Sequence, residues 1–499
     1  MNRKSRVESV RTVMVLLASA GGVAYGQQAT APAAGSGETE EALQTVTVTG
    51  VRAAVEMAIG VKLNSDSIVE AISAEDIGKL PDTSIAESIS RLPGLTSQRS
   101  DGRASDISIR GTDPQFANGL LNGREQVSTG DNRSIEYDQY PAELISGVVV
   151  YKTPDAALIG QGLAGTIALQ TIRPLKYGKE ATVIDIRGEN NSDANLGSDS
   201  HNNGYRASFS YIDQFLDHTL GVSVGYARLS TPVVGKEFGT YDPWHTNGTD
   251  HAGVPADAYV TDGIKSLASS GHNVRDGALA TVEWHPIEQL TSTLDGYFTK
   301  SNQNNNRRSM EVNLNNYNGY PSSACPTCTN TANWSDLDVV NGSVVGATVS
   351  NVVPLARNFL YVTKDQILQV GWNNKWQGDG WSLMDDVAYS RANREEHDYE
   401  TQAQYIGGVT DTATFFLSGR PQFTLQNTYT NPAEVLIGPT IYGAGYSRFP
   451  NIVDELRAFR LEGSHDVGWL FSDVVVGANY DDRTKDKHQP ETSLSTIGN

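Results

Sequence analysis

The stretch YRASFSYIDQFLDHTLGVSVGY, residues 205–226, decides the fold. Tyr205, Ala207, Phe209 and Tyr211 alternate with Arg206, Ser208 and Ser210, and after a polar break Leu220, Val222, Val224 and Tyr226 alternate with Gly221, Ser223 and Gly225. Period-two patterning with one apolar face and one polar or tiny face marks β-strands, and the short break makes the two an antiparallel pair. The pattern recurs at Ala278–Trp284, at Leu368-Val370-Trp372 and at Val474-Val476-Ala478-Tyr480, and it blurs near Leu383 and Leu456. A first strand is expected around Val183–Ile186. Short turns fall near Leu216, Ile287, Gly378 and Val467, and alternate with long polar stretches at about 189–204, 230–275, 301–364 and 393–452. That asymmetry fits a transmembrane β-barrel with short turns on one side and long loops on the other. Loops this long are uncommon in a compact soluble sandwich. Tyr211, Trp284, Trp372, Trp376, Trp381 and Tyr480 lie near strand ends and suit an interfacial girdle.

Composition agrees. The 499 residues carry 38 basic and 58 acidic side chains, a net charge of −20, which argues against a nucleic-acid partner. Beyond the N-terminus no apolar run approaches the ~20 residues of a spanning helix, so a helical transporter is excluded. Residues 1–26 read as a signal peptide: Arg3, Lys4, Arg6 and Arg11 precede the apolar run Val13–Val23, and Ala24-Tyr25-Gly26 offers a cleavage site. Residues 27–43 are Ala/Gly/Pro/Ser-rich and then acidic, which predicts a flexible tether.

Between the tether and the strands, residues 51–175 mix helix and strand signals and predict an α+β domain. Ser84 with Glu87 makes a capping box, Ile85, Ile89 and Leu92 keep helical spacing, and Pro93-Gly94 ends the helix. Ile107-Ser108-Ile109, Val148–Tyr151 and Thr166–Thr171 read as strands, and Asn122-Gly123 as a tight hairpin turn.

Several stretches in this order resemble TonB-dependent outer-membrane receptors: QTVTVTG (44–50), AISAEDIGKLPD (71–82), SISRLPGL (88–95), ISIRG (107–111), LLNGR (120–124), ELISGVVVYKTPDA (143–156) and GLAGTIALQTIRPL (162–175). The resemblance is to the subgroup common in Xanthomonas- and Caulobacter-type bacteria. It implies an α+β plug domain (51–175) followed by an antiparallel transmembrane β-barrel with long extracellular loops (181–499), energised uptake through periplasmic TonB and its inner-membrane complex, and no catalysis. Thr45, Val46, Thr47, Val48 and Thr49 then form a TonB box, a β-prone run able to add a strand to a sheet edge of the partner. The alternative is the first strand of the plug. The family's Arg-Gly latch between plug and wall falls on Arg110, with Arg124 as a second candidate. Such barrels have about 22 strands, whereas about nine are legible here, so the chain is expected to be a fragment, a truncated product, or one part of a barrel completed elsewhere.

Three motif matches are set aside. Gly221–Gly225 fits G-x-S-x-G, but Ser223 lies mid-strand where no nucleophile elbow forms. Gly160–Gly165 fits G-x-G-x-x-G, but a strand follows where a helix N-terminus is needed. Cys325 and Cys328 lie in a long loop of an exported chain and read as a small disulfide, since thiol redox chemistry would need a βαβ setting. The 9 histidines show no pair at i, i+3 or i+4, so no metal site is expected, nor any cofactor. Trp244, Tyr317, Tyr320 and Trp334 in the long loops are candidate substrate contacts, equally explicable as loop packing. Such aromatics suit either sugars or ferric chelates, and the subgroup resemblance favours a saccharide. The competing classes are a passive porin, which needs no plug, and an outer-membrane hydrolase, which needs a nucleophile site.

Overall fold

The computed structural model describes residues 51–65, 67–73, 84–100, 102–159, 162–192, 196–197, 201–315, 331–405, 409–438, 440, 443–468 and 471–495. The expected signal peptide, the tether, Thr45–Thr49, Tyr317, Tyr320, Cys325 and Cys328 lie outside them.

The inner domain opens with a helix, α1 (Val51–Leu63), and strand β1 (Val69–Ser73). Helix α2 (Ile85–Ile89) leads to the hairpin β2 (Leu95–Ser100) and β3 (Arg103–Ile109). Ser84 is the N-cap of α2, but the expected capping box is absent: the Ser84 hydroxyl donates to the Ala104 carbonyl (2.8 Å) and so ties the helix to β3. The helix is also only 5 residues long, ending before Leu92. Strands β4 (Ala117–Leu121) and β5 (Arg124–Glu125) flank Asn122 and Gly123, both at positive φ (54° and 85°), as the hairpin turn requires. With β6 (Gly147–Tyr151) and β7 (Gly165–Gln170) they form a five-stranded sheet in the order β1-β6-β7-β4-β5, in which only β4 and β7 run parallel. Ile85, Ile89, Ile107, Ile109, Val148, Ile167 and Leu169 fill its core. A short helix, α3 (Pro174–Tyr177), closed by Gly178 in the left-handed region, leads into the outer wall.

The wall is an antiparallel sheet of long strands: β8 (Ala181–Asn190), β9 (Asn203–Phe215), β10 (Leu220–Thr240), β11 (Gly263–Ile287), β12 (Leu290–Asn313), β13 (Ser343–Gly378), β14 (Trp381–Tyr405), β15 (Asn451–Asp466) and β16 (Asp473–His488). Each pairs with the next along the chain. Shorter outer strands extend this network, but among the described residues the long ladder of β8 is with β9 alone and that of β16 with β15 alone.

The short turns sit where the pattern puts them, for example Asp379-Gly380 at positive φ. The long polar stretches, however, are largely strand. The run Ser301–Ser309 continues β12, pairing along β11 and β13. The reason lies on the outward face. On β12, Leu294 and Phe298 point outward and are exposed, whereas Lys300, Asn302 and Asn304 on the same parity are polar. The apolar outward band therefore spans about nine residues from each short turn, the length of a membrane-crossing strand. Beyond it both faces meet water and the alternation disappears. Arg228 on β10 donates to Asp276 on β11 (2.8 Å) at the upper edge of this band, Trp284 and Trp381 lie near its lower edge, and Trp372 lies mid-band opposite Leu294.

The inward face is small or polar because the inner domain presses on it. A Cβ on Gly225 would stand 2.7 Å from Leu144 Cδ2, and one on Gly221 2.9 Å from Leu175. One on Gly277 would collide with Pro141. The blurred register near Leu456 has the same origin: Leu456 points inward and is buried against the inner domain, whereas Leu383 is exposed. A second apolar core, with Ile264, Val312, Trp334, Val349 and Phe415, forms a cap where β11 to β13 rise above the band.

Candidate functional site

Two places join chemistry to the fold. The first is the seam between inner domain and wall. The turn at Asn122-Gly123 delivers Arg124, which is 4% exposed, to the inner surface of the wall. Its Nε and Nη2 donate to the two carboxylate oxygens of Asp386 on β14 (both 2.8 Å), and its Nη1 donates to Asp295 on β12 (2.7 Å). Arg173 stands 3.7 Å from the other oxygen of Asp295. Gly371 on β13 lies beneath the guanidinium, and a Cβ there would overlap it. One planar donor fork thus spans two wall strands across a glycine, a geometry that suits arginine and not lysine.

Arg110, on which the resemblance puts the first weight, is exposed at positive φ (54°) just after β3. Its backbone N–H bonds to the Gly94 carbonyl (2.8 Å), and no wall carboxylate pairs with its side chain among the described residues. The Arg-Gly dipeptide here serves a turn. The arginine that forks onto two wall carboxylates comes instead from the Asn-Gly hairpin.

Further polar contacts line the seam. Arg483 on β16 bridges Glu125 of the inner domain (2.9 Å) and Asp454 on β15 (2.6 Å), and Asp454 accepts the Ser128 backbone N–H (3.1 Å). Gln139 donates to Asp365 (3.0 Å), which Arg394 also holds, and Tyr297 donates to the Gln139 carbonyl (2.9 Å). Beside these lies Glu136, buried in the inner domain, which accepts the Thr129 N–H (3.1 Å). Burial pushes its carboxyl up to about 7, against the pull of the nearby Arg394 guanidinium, so it gains its charge near neutral pH.

The second place is the lumen above the inner domain. A cavity of ≈ 390 Å³ is lined by Tyr241, Lys265, Glu311, Arg357, Glu400, Gln402 and Tyr446, and a second of ≈ 190 Å³ adjoins it at Glu237, Arg307, Phe359 and Tyr361. Arg357 joins Glu311 (3.1 Å) to Glu400 (2.9 Å), and Tyr241 donates to Glu311 (2.9 Å). The ring planes of Phe359 and Tyr361 lie 10° apart, and Arg357 and Arg307 stand over their faces. Sequence reasoning missed all of these side chains. The signal that would have found them is parity: Lys265, Glu311, Arg357 and Glu400 continue the inward face of their strands into the stretches that read as loops.

The expected loop aromatics are placed elsewhere. Trp334 is buried in the cap core, 4.8 Å from the His251 ring and 6.0 Å from that of Phe415, so it packs and does not face the lumen. Trp244 is half-buried and donates to Thr240 (3.0 Å). Ser223 of the G-x-S-x-G match is buried mid-strand on β10, opposite Thr281.

Residues 61–167 match the model of the TonB-dependent Receptor Plug Domain. Among solved structures, the chain is similar to a ferric enterobactin receptor from Pseudomonas aeruginosa (12% identity over 81% of this chain and 72% of that one, TM-score 0.35). It is also similar to the siderophore receptor PirA from Acinetobacter baumannii (11%, 88% and 79%, TM-score 0.29) and to the copper transporter OprC (12%, 87% and 63%, TM-score 0.37). The stretch that matches the plug model lies inside antiparallel strands that carry an outward apolar band, as a domain lodged within an outer-membrane β-barrel would.

Proposed function

We propose that the protein is a TonB-dependent outer-membrane transporter that takes up a saccharide, with residues 51–175 as its plug, 181–499 in its barrel wall, and Thr45–Thr49 as the strand that TonB grips. The observation that carries this reading is the seam. The plug is held in the lumen by Arg124, Gln139 and the Glu125–Arg483 pair, polar contacts that water can replace when the plug is pulled. A plug lodged in the lumen argues against a passive porin.

The choice of a saccharide over a ferric chelate, in line with the Xanthomonas- and Caulobacter-type resemblance, is supported by charge. The lumenal cavities set Lys265, Arg307 and Arg357 against Glu237, Glu311 and Glu400, so there is no cationic excess to draw an anionic chelate. Tyrosine and phenylalanine faces beside amide and carboxylate acceptors suit the apolar faces and hydroxyls of a neutral sugar.

Uptake of labelled oligosaccharides, in competition with ferric chelates, by cells with and without TonB tests both parts. TonB-dependent uptake competed by oligosaccharide alone is expected, and abolished by Val46→Pro, which removes a backbone donor from the added strand. Competition by ferric chelates alone would refute the substrate, and uptake indifferent to TonB would refute the mechanism.

A further inference from the structure

His245, His251 and Asp262 lie in the cap, apart from both the seam and the lumenal cavities, and their ligand atoms fall within 4.8 Å of one another. The local fold explains how residues so spaced converge. His245 pairs with Val260 across a two-residue ladder, which brings Asp262 alongside it. Between them the chain turns back on Asn247, which is 1% exposed. Its Oδ1 accepts the His251 backbone N–H (2.9 Å) and its Nδ2 donates to the His251 and Val254 carbonyls (3.2 and 3.0 Å). This knot swings the His251 ring inward against Trp334.

The second observation is what that ring lacks. His251 is 2% exposed, yet neither of its ring nitrogens has a hydrogen-bond partner, and Asp262 Oδ1, also buried, is unpartnered too. A buried imidazole without a partner on either nitrogen is a rare and costly arrangement in a folded protein, and a ligand to complete it is the economical explanation. His245 Nε2 completes the group, 3.7 Å from Asp262 Oδ1 and 3.4 Å from the more exposed Asp250.

We propose that His245, His251 and Asp262 form a binding site for one divalent transition-metal ion, of the chemistry that zinc satisfies. Two imidazoles and a carboxylate give an N2O donor set with a fourth position open to water or to Asp250. Bonds of about 2.0–2.2 Å require the donor atoms to draw together by roughly an ångström, which His245, half-exposed at the loop entrance, has room to do. The ion would pin the 247–258 turn to the cap. No helical interval links these residues in sequence; an Asn-knotted turn and a strand pair bring the ligands together.

The test uses the full chain, folded in detergent, titrated with Zn²⁺ against a chromophoric chelator. One equivalent of tightly bound zinc is expected, weakened at least tenfold by His245→Ala and by Asp262→Asn, and unaffected by His218→Ala. Both sensitive positions are partly exposed, and a circular dichroism spectrum like that of the wild type shows that the fold survives. Co²⁺ in place of Zn²⁺ should give a ligand-field absorption that the two variants lose. No stoichiometric zinc, or affinity unchanged in both variants, would overturn the proposal.

Discussion

The plug seam and the cap meet the same wall strands by opposite means. At the seam the inner core reaches the wall through Ala227, Leu279, Tyr297, Ile367 and Leu456, but around that contact the plug offers arginine, glutamate, glutamine and backbone groups, which the wall answers with carboxylates, arginines and glycines. In the cap, Ile264, Val312, Val349 and Phe415 pack into a dry cluster continuous with the strands. A dry interface loses its stabilisation only by exposing apolar area, whereas a hydrogen-bonded one can exchange its partners for water. The difference predicts that the inner domain loosens from the wall more readily than the cap does.

The largest effect is expected at Arg124. Arg124→Ala leaves Asp386 buried without a counter-ion and Asp295 with Arg173 alone at 3.7 Å, and breaking such a buried pair costs about 3–5 kcal/mol. Plug amides should exchange with deuterium correspondingly faster in the intact chain while cap amides keep their rates. Equal loosening of plug and cap would erase the distinction between the two regions. Adding Asp386→Asn should recover part of the loss, because it removes one of the stranded charges.

Glu136 comes next. Its carboxyl titrates near 7 in the folded protein against an ordinary value of 4.5, so the docked plug favours the neutral acid. That stabilisation is complete below about pH 4.5 and is lost as the pH rises through 7, a change on the order of 3 kcal/mol. Plug protection, corrected for intrinsic exchange, should fall between pH 5 and 8, and Glu136→Gln should flatten the profile. A profile equally steep in the variant would place the titration elsewhere.

How much of this was legible follows the outward face. The band strands announced themselves at Leu220–Tyr226 and Leu368–Trp372 because lipid outside and a small, polar interior enforce alternation. The same rule made Ser301–Ser309 unreadable, because above the band polar residues face both ways. Asn122-Gly123 was readable as a turn, but its part in aiming Arg124 was not: the carboxylates that receive it lie 171 and 262 residues away. Gly371 gave no more than a small residue on the inward parity. Trp334 shows the converse, a loop aromatic whose burial depends on strands that the sequence did not reveal.

The smallest effect sharpens the cap. Ile264 is fully buried in the cap cluster, and Ile264→Val removes one methylene, which costs about 1 kcal/mol when the surroundings relax only partly. Because the cap excludes water, that loss cannot be offset by solvation and should appear as faster exchange confined to the cap strands around Val312 and Val349. The seam lies on the other side of the lumenal cavities and shares no side chain with this cluster, so distant and independent sites should leave it unmoved within a few tenths of a kcal/mol. Measuring plug and cap amides in the same Ile264→Val sample decides the matter. A matching acceleration in the plug would mean that β11 and β12 transmit strain along their length, and that plug and cap open as one unit.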